Sequence, residues 1–276
     1  MGSVVAVFIS DPNLMRCALA KVQALVAPPP GGNAVGLGSY AQEEVLLQRY
    51  GGRAAVEPLD ELWAGVESEA VLFHAQSLPL GLSLEENTQP FRFRRWLFAH
   101  QGAVSGFAAM RERLLAALPD FLRRQIRGDT GSEAAFALFL KLLRDAGRSD
   151  DHHLETAIAA QLLGKTTRML EGLAAESGAS GKSVLNFVAT NGRMLLATRC
   201  GEAPLYYALL EGIDGCVRCG IEPGSPDGQP KVSAHRRLRA VCVASHLAKP
   251  NGGWFELPSG TALAVDRQLS VQTLPV

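Results

Sequence analysis

Cysteine is scarce in this sequence, with five among 276 residues. An odd, scattered set argues against a disulfide framework and for a reducing cytoplasm. Neither sign of charge is in excess, since Lys+Arg and Asp+Glu number 27 each. That balance argues against a nucleic-acid or anionic-membrane surface. No apolar run approaches the ~20 residues that span a bilayer. The start shows no basic stretch leading into a long apolar one, so no secretory signal is read. Gly2 invites a myristoylation motif, but Ala6 stands where that motif wants Ser or Thr. There is no repeat at a solenoid period and no linker long enough to divide the chain. The expectation is one domain over residues 1–276, in the cytoplasm, with no cofactor and no nucleic-acid or membrane partner.

What is present is a large core. Apolar residues are 47% of the chain, enough to bury much of its surface. The run at 4–9 is continuous, apolar and rich in β-branched residues, as in a strand covered on both faces. Asp11-Pro12-Asn13 ends it and opens a helix carrying Leu14, Cys17, Ala18 and Val22 at helical spacing. A Pro- and Gly-rich loop follows at 28–32. Two strands at 35–40 and 45–50 flank a short polar turn, which predicts a hairpin. A short helix is expected at 59–66 and a buried strand at 70–76. Helical periodicity covers 107–126, the stretch after Gly131, and 154–173. Beyond Gly181 the texture changes to short strands, at 184–189, 194–197, 205–208, 240–244, 254–257, 261–265 and 269–274. The stretch 229–237 reads as a polar loop. Strands, then helices, then strands predict two antiparallel sheets packed together with helices outside.

One stretch has more particular wording. Asn87-Thr88-Gln89-Pro90-Phe91 is followed by Ala99-His100-Gln101-Gly102 and then by Gly128-Asp129-Thr130-Gly131-Ser132-Glu133. These resemble the Asn-Thr-His-Pro-Phe, Ala-His-Asn-Gly and Gly-Asp-Thr-Asp-Ser-Glu motifs of the class II (Ntn-type) glutamine amidotransferases. Met1 to Ala6 matches that family's Met-Cys-Arg-Leu-Leu-Gly start, and Asn33 to Gly36 its Asp-Gly-Trp-Gly. His74-Ala75-Gln76 matches its His-Val-Arg, and Leu185 to Val188, Ala244-Ser245 and Trp254 to Gly260 match later strands. The resemblance covers nearly the whole chain and implies an α+β fold, the four-layer αββα sandwich.

The chemistry implied by the resemblance departs from the family at several positions. The family's nucleophile is a Cys where this chain has Gly2, and glycine can form no acyl-enzyme. Its Arg, which fixes the substrate carboxylate, is Gln76, which lacks the charged fork. The His of its loop is Gln89. The Asp that holds the substrate ammonium is Gly131. Its oxyanion-hole Asn is Gln101, one methylene longer, beside a retained Gly102. A replaced start would explain Gly2 alone. The resemblance therefore implies a pseudoenzyme acting as a binding or regulatory module for an unidentified partner protein, with self-association left open. The alternative is an active amidotransferase or amidohydrolase of altered chemistry, and Ser3 is a weak second nucleophile.

Four further patterns stand outside these motifs. Cys216-Val217-Arg218-Cys219 has the spacing of a zinc knuckle, with Cys200, His235, Cys242 and His246 as further ligands. Without a second close pair, a hairpin turn with two incidental thiols is preferred and no metal is expected. Gly178 to Ser183 resembles the end of a phosphate loop, but follows a helix and opens a strand, so it reads as a linker. Asp150-Asp151-His152-His153 reads as a helix N-cap. Arg92, Arg94, Arg95, Arg123, Arg124 and Arg127 predict a local positive surface, read first as solvated and alternatively as a contact for an acidic partner.

Overall fold

A computed structural model describes residues 2–23, 32–51, 65–247 and 253–276. The loop expected at 28–32 and the helix expected at 59–66 fall largely outside them. Two antiparallel sheets form the middle of the molecule. The first runs β11-β9-β10-β1-β4-β2-β3 and the second β13-β12-β8-β7-β6-β5. The strands of the first are β1 (Ser3–Ile9), β2 (Ala34–Ala41), β3 (Glu44–Gly51), β4 (Ala70–Gln76), β9 (Tyr206–Glu211), β10 (Arg239–Ala244) and β11 (Trp254–Glu256). Those of the second are β5 (Phe91–Phe93), β6 (Trp96–Ala103), β7 (Val184–Thr190), β8 (Leu195–Arg199), β12 (Thr261–Val265) and β13 (Val271–Pro275). The helices are α1 (Met15–Gln23), α2 (Leu84–Asn87), α3 (Phe107–Ala116), α4 (Asp120–Arg123), α5 (Gly131–Asp145), α6 (Thr156–Glu176) and α7 (Pro230–Arg237).

Strand alternation sorts the side chains into three cores. Val4, Ala6, Phe8, Ala70 and Leu72 face Leu97, Ala99, Val188, Ala197 and Leu263 across the space between the sheets. The far side of the second sheet packs Phe98, Phe187 and Leu196 under α3, α5 and α6. Phe98 stacks on Phe136 of α5 at 5.1 Å, and burying each such ring contributes about 1.5–3 kcal/mol. The far side of the first sheet carries Val5, Val7, Val71 and Phe73, covered by short α1 and α7. Helix, sheet, sheet, helix is the expected four-layer order. Among the described residues no helix is long and apolar enough to cross a membrane.

Most expected elements are found, some with different bounds. The hairpin closes through Gln42 and Glu43, both at positive φ, as a tight two-residue turn requires. The helical stretch 107–126 is two helices, because Pro119 starts a new one. The stretch 229–237, expected as a loop, is α7: Pro230 opens it without a lost hydrogen bond, and Val232 and His235 anchor it in the core. The stretch 150–153 is a turn in which Asp151 accepts from His153 N–H at 2.8 Å, and the N-cap of α6 is Glu155.

Candidate functional site

The residues singled out by motif gather at one end of the space between the sheets. His74 and Gln76 lie on the inner face at the end of β4, with His74 opposite Val4 of β1 and Gly36 of β2. Gln101 lies on the inner face of β6, opposite Asn186 of β7. The Asn87–Phe91 loop crosses between the sheets, and Gly131 begins α5 behind it. Alternation sends Ser3 to the other face of β1, beside Val5. There its Oγ lies 3.3 Å from His246 Nδ1, away from this end. That placement removes Ser3 as a nucleophile for the same pocket.

The side chains here satisfy one another. Gln76 Nε2 donates to the Asn87 carbonyl at 2.7 Å, and Gln76 Oε1 accepts from Gln89 Nε2 at 2.9 Å. Gln89 Oε1 in turn accepts from the His100 N–H at 2.6 Å. Asn87 ties the loop to the turn before α5 by accepting from Asp129 N–H at 3.0 Å. Gln101 Oε1 accepts from Asn186 Nδ2 at 2.6 Å, and that amide also donates to the Ala203 carbonyl at 3.1 Å. All these side chains are buried. Each neutral hydrogen bond is worth about 1 kcal/mol net, but leaving one unmade in the interior costs more. The network therefore holds the loop on the strands.

Two positions are crowded by their neighbours. A Cβ placed on Gly2 would lie 2.6 Å from His74 Cε1, 2.7 Å from its Nε2 and 2.8 Å from the Ala75 carbonyl oxygen. A Cβ on Gly131 would lie 3.0 Å from Val104 and 3.1 Å from Phe107. The His74 ring thus stands where a side chain at position 2 would go. Among the described residues neither of its nitrogens has a well-directed hydrogen-bond partner. Burial, with repulsion from His100 second, holds its pKa down to about 3; the His100 backbone pulls weakly the other way. His100 faces the opposite side of β6. Its Nε2 donates to the Val184 carbonyl at 2.8 Å, so its Nδ1 accepts from Ser132 Oγ at 2.9 Å. Burial lowers it to about 4.

Two clefts lie away from this end. One of about 700 Å³ is on the outer side of the loop, between Arg49, Glu85, Arg92, Arg127 and Glu133. Arg49 spans it and donates to the carbonyls of Glu85 at 2.7 Å and Pro90 at 3.2 Å. Another, of about 320 Å³, lies between Arg94, Arg148, Asp151 and Arg193. The expected positive surface is partly neutralised: Arg94 pairs with Asp150, Arg95 with Glu43 at 3.2 Å and Arg123 with Asp120 at 2.6 Å.

With fold and geometry in hand, the comparisons decide the family. The sequence model of the class II glutamine amidotransferases matches residues 52–272. The chain belongs to that family. It is similar to the probable glutamine amidotransferase DUG3 of Saccharomyces cerevisiae, at 27% identity over 225 residues, 76% of this chain and 60% of that protein. The chain thus spans about 60% of that relative's length. A glutamine aminotransferase class-II domain protein from Silicibacter pomeroyi superimposes with a TM-score of 0.64 at 21% identity, covering 99% of this chain and 98% of that one. A predicted glutamine amidotransferase from Pseudomonas aeruginosa gives 0.59 at 18% identity over 99% and 95%. These two establish the αββα fold of the family for this chain.

The structure also brings together residues that the sequence leaves apart. Cys216 and Cys219 are joined by Cys17 and His235, whose ligand atoms all lie within 4.8 Å of one another. Cys200, Cys242 and His246 are not in the group. Cys17 reads in sequence as one apolar position of α1, and nothing local connects it to residues about 200 positions later.

Proposed function

We propose that this class II glutamine amidotransferase-like chain has no glutaminase activity and serves as a binding or regulatory module for a partner protein. The observation that carries this reading is the His74 ring in the space of a side chain at position 2. Gly131, crowded by Val104 and Phe107, and the mutually bonded Gln76 and Gln89 support it. The replacing amides Gln76 and Gln89 are bonded to each other and to the backbone rather than left unpaired. Losing a nucleophile alone lowers turnover by several orders of magnitude. The near-complete overlap with a stand-alone structure supports one domain over 1–276.

The test is ammonia release from L-glutamine by the purified chain, with an active family member measured alongside. The expected rate is that of the buffer. Release at a rate proportional to protein and retained through a second purification sinks the proposal. For the regulatory half, the chain immobilised as bait should retain a stoichiometric partner from native lysate, and a bare matrix should not.

A second prediction separates a crowded site from one that merely lacks its thiol. Gly2→Cys should restore no turnover and should cost about 1–3 kcal/mol, the usual range for overpacking. His74→Ala should relieve part of that cost when the two are combined, because the ring is what the new side chain meets. Urea midpoints of the four proteins give the coupling. Strict additivity would show that His74 does not occupy the space.

A further inference from the structure

Cys17, Cys216, Cys219 and His235 converge on the outer side of the first sheet, remote from the glutamine-site residues. Cys17 projects from α1. Cys216 and Cys219 bracket a single helical turn that ends at Gly220, with φ +63. His235 lies in the last turn of α7. The Cys216 N–H donates to the Ile221 carbonyl at 2.8 Å, and the Ile221 N–H returns to Cys216 at 2.9 Å. Two cysteines on a tight, glycine-ended turn, pinned by a reciprocal backbone pair, are already held as a two-pronged ligand.

We propose that these four side chains form a structural Zn²⁺ site with a Cys₃His ligand set. Cys17 Sγ lies 3.6 Å from Cys219 Sγ. Two thiolates at about 2.3 Å from one zinc, at the tetrahedral angle, are about 3.8 Å apart. A di-iron cluster would hold its two pairs of ligands further apart than this group is. The histidine supplies a separate observation. Its Nδ1 is 2.7 Å from the Lys231 carbonyl, which can only accept, so Nδ1 carries the proton. Its Nε2 is therefore the lone-pair nitrogen. That atom is buried, has no hydrogen-bond partner among the described residues, and sits with the three sulfurs. A carbonyl that fixes the tautomer of a ligating imidazole is the usual outer support of a zinc histidine. Thiolates with imidazole select zinc over harder cations. Three thiolates and one divalent cation leave one negative charge. Lys231 stands beside it, with its Nζ 3.2 Å from the Cys219 carbonyl. Four protein ligands leave no open position, so the metal holds structure and does no chemistry.

The site has a structural task. The helical layer on this sheet is thin, with α1 of 9 residues and α7 of 8. A single ion would bind the first helix to a segment some 200 residues later and clamp both on the sheet. Metal bound only by the folded chain adds its binding free energy to folding.

The experiment is elemental analysis of chain purified without chelator, followed by titration of reduced, metal-free protein with Zn²⁺ and with Co²⁺. One zinc per chain is expected. Co²⁺ should give the strong visible absorption of a tetrahedral site together with thiolate charge-transfer bands. His235→Ala and Cys219→Ser should weaken zinc binding beyond the ~10–100-fold that follows loss of an outer hydrogen-bond partner. Cys242→Ser and Cys200→Ser should leave the stoichiometry unchanged. Reduced wild-type protein that takes up neither ion stoichiometrically overturns the proposal. So does a Cys17, Cys216 and Cys219 triple serine variant that binds zinc as well as wild type. The wild-type titration stands even if a variant fails to fold, and none of these readouts depends on glutaminase activity.

Discussion

Replacing Gly102 with alanine is expected to cost about 3 kcal/mol or more in folding stability. Gly102 has φ +141, a region that side chains rarely enter, and a Cβ there would lie 1.9 Å from the Val184 carbonyl oxygen. Backbone oxygen cannot move aside as a side-chain tip can. Gly102 pairs with Leu185 across β6 and β7, so the clash would prise apart two central strands. The urea midpoint and the yield of folded protein measure the effect. Gly172, exposed in α6 with open space around its Cα, is the control: alanine there should stabilise by about 0.5–1 kcal/mol. If Gly102→Ala folds with an unchanged midpoint, the glycine is not required by the backbone. The expected result gives this family glycine a structural reason to persist, independent of any oxyanion hole. The fold needs it, whatever becomes of the chemistry.

Stability is expected to fall steeply with acid, starting below about pH 6.5. His74 and His100 are fully buried, and burial lowers their pKa to about 3 and about 4. An unfolded histidine titrates near 6.5. Above that value both states are neutral at these residues, which then contribute no pH dependence. As pH falls through 6.5 the unfolded chain takes up protons that the native state refuses, so the equilibrium moves toward unfolding. The loss continues until the pH reaches the native values. Its slope approaches about 1.4 kcal/mol per pH unit for each histidine, so two units of acidification could remove about 5 kcal/mol. Urea unfolding at pH 7, 6, 5 and 4.5 measures it. His74→Leu should flatten the slope by about half and cost little at pH 7, since the ring makes no well-directed hydrogen bond. A midpoint that does not change between pH 7 and 5 refutes the assignment.

Much of the fold is legible in the chain. The strands at 4–9, 70–76, 240–244 and 261–265 are apolar runs, because both faces of their sheets are covered and no polar alternation survives. The motif positions Gln76, Gln89 and Gln101 likewise point to one place, and the fold puts them at one end of the inter-sheet space, with Gly131 at the start of α5 on the helix side. What escaped has physical causes. α7 is polar on most of its surface, and only Val232 and His235 anchor it, too few for a visible period. The approach of His74 to Gly2 could not be read, because His74 is also present in the family's motif and no substitution marks it. Cys17 lies on an apolar stripe of α1, where a thiol reads as a small core residue. Its partners are set by tertiary topology alone. The close approach of side chains at this end could not be read from the sequence, since it turns on ångström-scale distances between strands.

The place of β1 has a consequence for how the chain is made. β1 lies inside the first sheet, between β4 and β10, and Val5 pairs with Ala244. The Val4 N–H is also held by Ser245 Oγ at 2.9 Å. During synthesis the first strand therefore emerges long before one of its two neighbours, and must wait through more than two hundred residues with a bare edge. Pairings this distant are slow to form and leave an unsatisfied strand open to other chains. The β5 to β8 part of the second sheet, made within about a hundred residues, can assemble before β10 is made and offer Leu97 and Ala99 as a surface on which the waiting strand settles.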